Sequence, residues 1–385
     1  MILVYFIFAT LAVLSLALAF WQFFAARKFP LHQRIASSAF SPAISLLKPL
    51  KGCDATTGDS LQSWFSQNYA GPTQILFGVA SADDPVCDLV RDLIKKNLAA
   101  DAQLIVCGEV LGANAKVSTL IQLEKSVKYD LVLVSDADVR VPTDFLGNMV
   151  APLHDSKTGL VNCFYRLANP ANAAMQWEAV AINADFWSQV LQSQTLKPLD
   201  FALGAAILMR RKSLDEAGGY RALANCLADD YQVGNRIAKN GGKIALCPVV
   251  VECWDPPMDW GDVWKHQLRW ARTIRVCQPL PYFFSILNNA TLWPLLWFIA
   301  ALIFTKTWCA PLTAIAFVLI RIALAQNLQR RLVELRQRTA PFWLVLVKDL
   351  LQAAIWVAAF SGNKIEWRGK KMRLRPNGDL EAIDR

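Results

Sequence analysis

Residues 2 to 26 contain no charged side chain and are dominated by Leu, Phe and Ala. A helix crosses the hydrocarbon core of a bilayer with about 20 apolar residues, so this run commits the N-terminus to a membrane before anything else is decided. Arg27 and Lys28 follow at once, and basic residues beside a span mark its cytoplasmic end. Met1 leads directly into Ile2 and Leu3 with no basic region before them. An uncleaved anchor over residues 1–28 is therefore expected, and not a secretory signal.

The other end repeats the pattern. Apolar stretches at about 288–304 and 308–325 are separated only by Thr305-Lys306-Thr307, a link that makes them a transmembrane hairpin within a segment 277–340. Arg330, Arg331, Arg336 and Arg338 then return the chain to its basic side. The last apolar segment, Pro341 to Phe360, holds Lys348 and Asp349 at its middle. Burying either at the centre of a span costs on the order of 3 kcal/mol, so an interfacial or re-entrant helix is expected over 341–363. A basic cytoplasmic tail over 364–385 follows, with Pro376-Asn377-Gly378 as a hairpin turn. Apolar residues make up 54% of the chain and charged residues 18%, with a net charge of +9. Since the basic clusters lie beside the apolar segments, membrane topology accounts for the charge and no nucleic-acid partner is needed. The nine cysteines show no metal-ligand spacing and the three histidines exclude a His-rich metal site.

Between the apolar ends the pattern alternates. Short apolar runs at 44–52, 74–80, 103–107 and 129–135 are separated by helical stretches at 60–68, 88–97 and 117–127. Repeated β-α-β units with short links predict a mostly parallel, doubly wound α/β sheet, in a domain spanning 40–276. Further strands are expected at 159–165 and 203–210. A long amphipathic helix is expected over 172–192, with Met175, Trp177, Phe186 and Trp187 either packed in the core or turned to a lipid. Another helix opens at Leu227 and stops at Asn240-Gly241-Gly242.

The run Tyr129 to Ser135 ends in Asp136-Ala137-Asp138. Ligands of open α/β sheets collect outside the carboxyl ends of the strands, and two carboxylates one residue apart can share a hard divalent cation with substrate phosphates. Two more acidic positions stand at element ends: Asp83-Asp84 before Pro85, where helix capping is the alternative use, and Asp229-Asp230 before Tyr231. Arg and Trp then crowd the helix that carries Lys265 to Arg275, where interfacial anchoring is the alternative for the Trp residues.

In this order and spacing the chain resembles the membrane-bound family 2 and family 21 glycosyltransferases with a GT-A fold, and among them ceramide glucosyltransferases and bacterial hopanoid glycosyltransferases. The resemblance runs from Ile44 to Arg275. It rests on Leu46-Leu47-Lys48-Pro49-Leu50-Lys51-Gly52, Asp83-Asp84-Pro85, Gly112-Ala113-Asn114-Ala115-Lys116, Ser135 to Arg140, Ala228 to Tyr231, and Arg269 to Arg275. It implies an inverting transfer of a sugar, glucose from UDP-glucose first, to the primary hydroxyl of a membrane lipid, ceramide first. Transfer of N-acetylglucosamine to a hopanoid polyol is the alternative within the class. A membrane-tethered nucleotide-sugar-binding subunit without catalysis is the alternative outside it. The same resemblance implies Asp230 as general base and Asp136 with Asp138 as ligands of Mg²⁺ or Mn²⁺. It implies donor contacts from Asp84, Lys116, Asp136, His266, Arg269 and Trp270. Relatives usually carry Gln or Arg where this chain has His266, and often Glu where it has Asp229. The implied location is an integral protein of a bacterial inner membrane with its catalytic domain in the cytoplasm.

Overall fold

The computed structural model describes all residues except 1, 36–38, 335–338, 368–369, 376–377 and 384–385. Arg336, Arg338 and the Pro376-Asn377 part of the expected turn lie outside the described residues. Helix α1 (Ile2–Lys28) begins the chain. The α/β domain then runs β1 (Ile44–Leu50), α2 (Thr57–Phe65), β2 (Thr73–Val79), α3 (Val86–Lys96), β3 (Asp101–Val106), α4 (Ala115–Glu124), β4 (Leu131–Ser135) and β5 (Val139–Arg140). It continues α5 (Phe145–Val150), β6 (Thr158–Leu167), α6 (Ala173–Val180), α7 (Trp187–Gln194), β7 (Ala206–Arg210), α8 (Arg211–Glu216), α9 (Asp229–Lys239), β8 (Lys243–Cys253) and α10 (Trp260–Cys277).

Eight strands form one sheet in the order β3-β2-β1-β4-β7-β6-β8-β5. The half that includes β1 to β4 is parallel, as the βαβ pattern predicts. Two strands depart from it: β7 runs antiparallel between β4 and β6, and β5 antiparallel to β8. The Gly204-Ala205-Ala206 entry to β7 brings backbone against the end of β4, where Asp136 N–H donates to Ala205 O at 3.3 Å. The DxD turn is thereby fixed by a neighbouring strand. Leu47, Leu76, Phe77, Leu133 and Leu208 have no accessible surface, as expected for strands covered on both faces.

The expected helix over 172–192 is α6 and α7 joined by a π-helical turn, Ala181–Phe186. Trp177 and Trp187 are wholly buried, which assigns them to the core and not to a lipid face. The π turn re-aims Asp185 toward the C-terminal helices, and such single turns often accompany a special side-chain placement.

After α11 (Pro279–Phe284) come α12 (Leu292–Phe304), α13 (Cys309–Val333) and α14 (Trp343–Phe360). Among the described residues three helices, α1, α13 and α14, are long and apolar enough to cross a membrane, and the segment Pro279–Asn288 with α12 forms a further pair bent by 49°. Lys348 and Asp349 are both buried, but neither is alone. Lys348 Nζ lies 2.8 Å from Asp349 and also bonds Asp185, while Arg321 on α13 meets Asp349 at 2.9 Å and Asp185 at 2.8 Å. Two cations and two anions thus neutralise one another. Strands β9 (Lys364–Trp367), β10 (Lys370–Leu374) and β11 (Leu380–Ala382) make a small antiparallel sheet. It docks beside the entry to α9, with Leu227 N–H donating to Gly378 O at 3.2 Å.

Candidate active site

The loop after β4 carries Asp136 and Asp138, with Asp136 40% accessible at its side chain. β5 turns back at once to pair with the end of β8, and Trp254 N–H donates to Asp138 O at 3.1 Å. The two carboxylates are therefore held from both flanks. Burial first, and Asp136 second, push the Asp138 carboxyl up to about 7, the expected strain on two anions that a cation would relieve.

Beneath this loop lies Lys48, a residue of the strand β1. It is wholly buried in β1; its Nζ donates to Asp136 O and to Ser135 Oγ, the latter at 3.3 Å. Burial pulls its ammonium down to about 7, opposed by Asp138 and Asp136. A lysine inside an apolar run was the available signal, since such a group is buried only where partners exist.

The Gly112 to Lys116 loop is pinned across the cleft. Ala113 N–H donates to Asn225 Oδ1 and Asn114 N–H to Ala224 O, each at 2.9 Å, and Asn114 Nδ2 donates to Cys226 O at 2.8 Å. Asn114 also caps α4 through Val117 N–H. Gly112 is required here, because a Cβ would come within 2.3 Å of Ala224 O. The result aims Lys116 between two acidic motifs: its Nζ is 2.7 Å from Asp136 Oδ1 and 3.3 Å from Asp229 Oδ2. Although burial opposes the charge, Asp136 and Asp229 hold the ammonium well above its ordinary value.

Asp230 opens α9 and accepts the Tyr231 N–H at 2.8 Å. Burial, then Asp229, push its carboxyl up to about 6, against the pull of Lys116. Gly204 leaves the room for it: a Cβ there would stand 2.7 Å from Asp230 Oδ2. Asp84 takes Gly52 N–H at 3.0 Å and Val86 N–H at 3.1 Å, tying the loop after β1 to the start of α3. It is cap and loop clamp together.

On α10, whose start is set by a capping box between Asp259 and Asp262, positions 266, 269 and 270 share a face by helical spacing. The His266 and Trp270 rings meet edge to face at 4.7 Å between centroids, and Trp270 lies 6.1 Å from Phe186. Arg269 stands one turn from His266. Asp255, just after β8, is pushed up to about 6, chiefly by burial, with His266 pulling it back and Glu178 and Asp136 adding to the rise. Asp255 thus feels the α10 face through His266 and the loop after β4 through Asp136. Among the described residues, no group of three or more His, Cys, Asp or Glu side chains forms a ready-made metal cage. Asp136 and Asp138 supply hard oxygen donors and strained negative charge, which fits a divalent cation completed by oxygens from a ligand.

The family model for glycosyl transferase family 21 matches residues 7–380. Among curated proteins, ceramide glucosyltransferase 3 of Caenorhabditis elegans is 28% identical over 222 residues, 57% of this chain and 48% of that one. Ceramide glucosyltransferase 1 of the same organism is 26% identical over 220 residues, 57% of this chain and 47% of that one. The chain spans about half the length of these curated relatives. A mannosyltransferase from Pyrobaculum calidifontis, solved with GDP-Man and Mn²⁺, superposes with a TM-score of 0.56 over 93% of this chain and 98% of that one, at 18% identity. That likeness establishes the GT-A fold, and the match over nearly the whole chain establishes the family: this chain belongs to glycosyl transferase family 21.

Proposed function

We propose that the chain transfers glucose from UDP-glucose, with inversion, to the primary hydroxyl of a membrane lipid, ceramide first. The observation that carries this reading is the bridge by which Lys116 joins Asp136 to Asp229, next to Asp230. One cleft then contains a diphosphate-and-cation end and a base end. In this reading Asp136 and Asp138 hold Mg²⁺ or Mn²⁺, which when bound offsets the charge that grows on the departing diphosphate. Asp84 and the Gly52 loop form the nucleotide end, and Arg269, with forked donors suited to phosphate, faces the diphosphate.

Asp230 acts as the base. Its carboxylate takes the proton of the acceptor hydroxyl while that oxygen attacks the anomeric carbon; the bond from that carbon to the diphosphate oxygen breaks, and UDP leaves from the opposite face. A carboxylate raised to about 6 is a stronger base than an ordinary Asp yet remains ionised near neutral pH. Relatives bearing the name ceramide glucosyltransferase support the lipid acceptor, as do the three apolar helices flanking the domain. The domain limits and the cytoplasmic, inner-membrane placement given above belong to this proposal.

A panel of UDP-glucose and UDP-N-acetylglucosamine against ceramide and a hopanoid polyol, with Mn²⁺ and purified protein, tests it. A β-glucosyl ceramide is the expected product. Transfer of N-acetylglucosamine to the hopanoid alone would replace the assignment, and donor binding without any turnover would favour a non-catalytic subunit.

A further inference from the structure

Glu178 sits on α6 with no accessible surface. A carboxylate is almost never buried so completely unless it is paired. Its Oε1 receives His266 Nδ1 at 2.7 Å and Gln267 Nε2 at 2.8 Å, both from α10. Its Oε2 is buried without a protein hydrogen bond. The whole charge is therefore directed at one edge of the His266 ring and one amide.

That contact decides what the ring offers elsewhere. A carboxylate can only accept, so His266 carries a proton at Nδ1; Nε2 is then an acceptor in the neutral ring and a donor only in the imidazolium. The Nδ1 edge is sealed by Glu178 while the side chain of His266 keeps 22% of its surface accessible. Trp270 covers the ring edge to face. His266 shares its face of α10 with Arg269, the residue proposed above to face the diphosphate.

We propose that Glu178 is a positioning residue for His266: with a carboxylate on one edge and the bound diphosphate on the other, the ring is held as the imidazolium, Nδ1–H donating to Glu178 and Nε2–H to the diphosphate of the sugar donor. The inference rests on the donor site proposed above and adds a residue to it. Gln267 keeps the carboxylate centred, so the rotamer of His266 is held from outside its own helix turn.

The test is a double-mutant cycle with E178Q, H266Q and the pair, read as UDP-glucose KM, kcat, UDP affinity and thermal midpoint. E178Q keeps an acceptor oxygen but removes the charge; it should raise the donor KM about tenfold, the scale of a charge-assisted hydrogen bond, with kcat changed less. In the H266Q background the same substitution should add nothing to KM. Equal losses in both backgrounds, or a lowered thermal midpoint with KM unchanged, would make Glu178 a structural strap and overturn the inference. Should E178Q fail to fold, H266F and H266Q decide: the phenylalanine should lose about tenfold in donor affinity and the glutamine much less, and equal losses would overturn it. Wild-type protein that binds no UDP-glucose with Mn²⁺ present would overturn the proposed function itself, whereas wild-type turnover with additive variants would overturn only the role of Glu178.

Discussion

Lys116 Nζ lies 2.7 Å from Asp136 Oδ1, so the residue that leads into α4 neutralises the carboxylate at the end of β4. Without a cation, the lysine is the counter-charge of the DxD turn. Its second contact, 3.3 Å to Asp229, makes it the physical link between the proposed metal end and the proposed base end.

Replacing Lys116 with Met should therefore separate binding from turnover. Asp136 loses its internal competitor, so Mn²⁺ should bind more tightly in titration calorimetry without donor. Turnover should fall about 100-fold, the scale of a lost charge stabiliser in a preorganised site. Weaker Mn²⁺ binding in K116M would contradict the counter-charge role.

The acid limb of the pH profile should depend on metal. Asp138 is raised to about 7 and Asp230 to about 6; each must lose its proton to act, so activity is lost as pH falls through those values and is fully present above them. At low Mn²⁺ the midpoint should lie near 7, because the cation must displace a proton from Asp138. At saturating Mn²⁺ it should move down toward 6, where Asp230 governs. A midpoint insensitive to metal concentration would refute this assignment.

Gly204→Ala should damage catalysis without loosening the fold. Its Cβ would stand 2.7 Å from Asp230 Oδ2, forcing the carboxylate aside. A displacement on the order of 1 Å can cost about 100-fold in rate. The expected result is a low kcat with unchanged donor affinity and thermal midpoint; full activity would mean that the position of Asp230 is not critical.

The membrane-side charge cluster should be cooperative. Arg321→Met leaves Asp185 and Asp349 sharing Lys348 alone, and breaking a buried pair costs about 3–5 kcal/mol. R321M combined with Asp185→Asn should lose much less than the sum of the two single changes. Additive losses in detergent-solubilised thermal unfolding would show that the contacts do not act together.

Much of this was legible in the residues because each element announced itself locally. The charge-free run 2–26, the βαβ alternation and the acidic ends at Asp84, Asp136, Asp138 and Asp230 needed no knowledge of long-range pairing. What escaped depended on such pairing. Lys48 looked like a strand residue because its partners, Ser135 and Asp136, lie 87 and 88 positions away. Glu178 was one acid in an amphipathic helix until α10 supplied His266. Lys348 and Asp349 argued against burial only while Arg321, itself inside an apolar stretch, and Asp185 were not counted with them. The four charges sum to zero, and that balance was the available signal. The antiparallel course of β7 was hidden for the same reason: its apolar run specifies burial but not direction.

The most direct test of the account is mass spectrometry of the lipid formed from UDP-glucose and ceramide with Mn²⁺, by the wild-type protein and by Asp230→Asn at equal, folded concentration. The account predicts a single-hexose β-linked ceramide from the wild type, none above background from D230N, and unchanged UDP binding in the variant. Comparable product from D230N would contradict the assignment of the base.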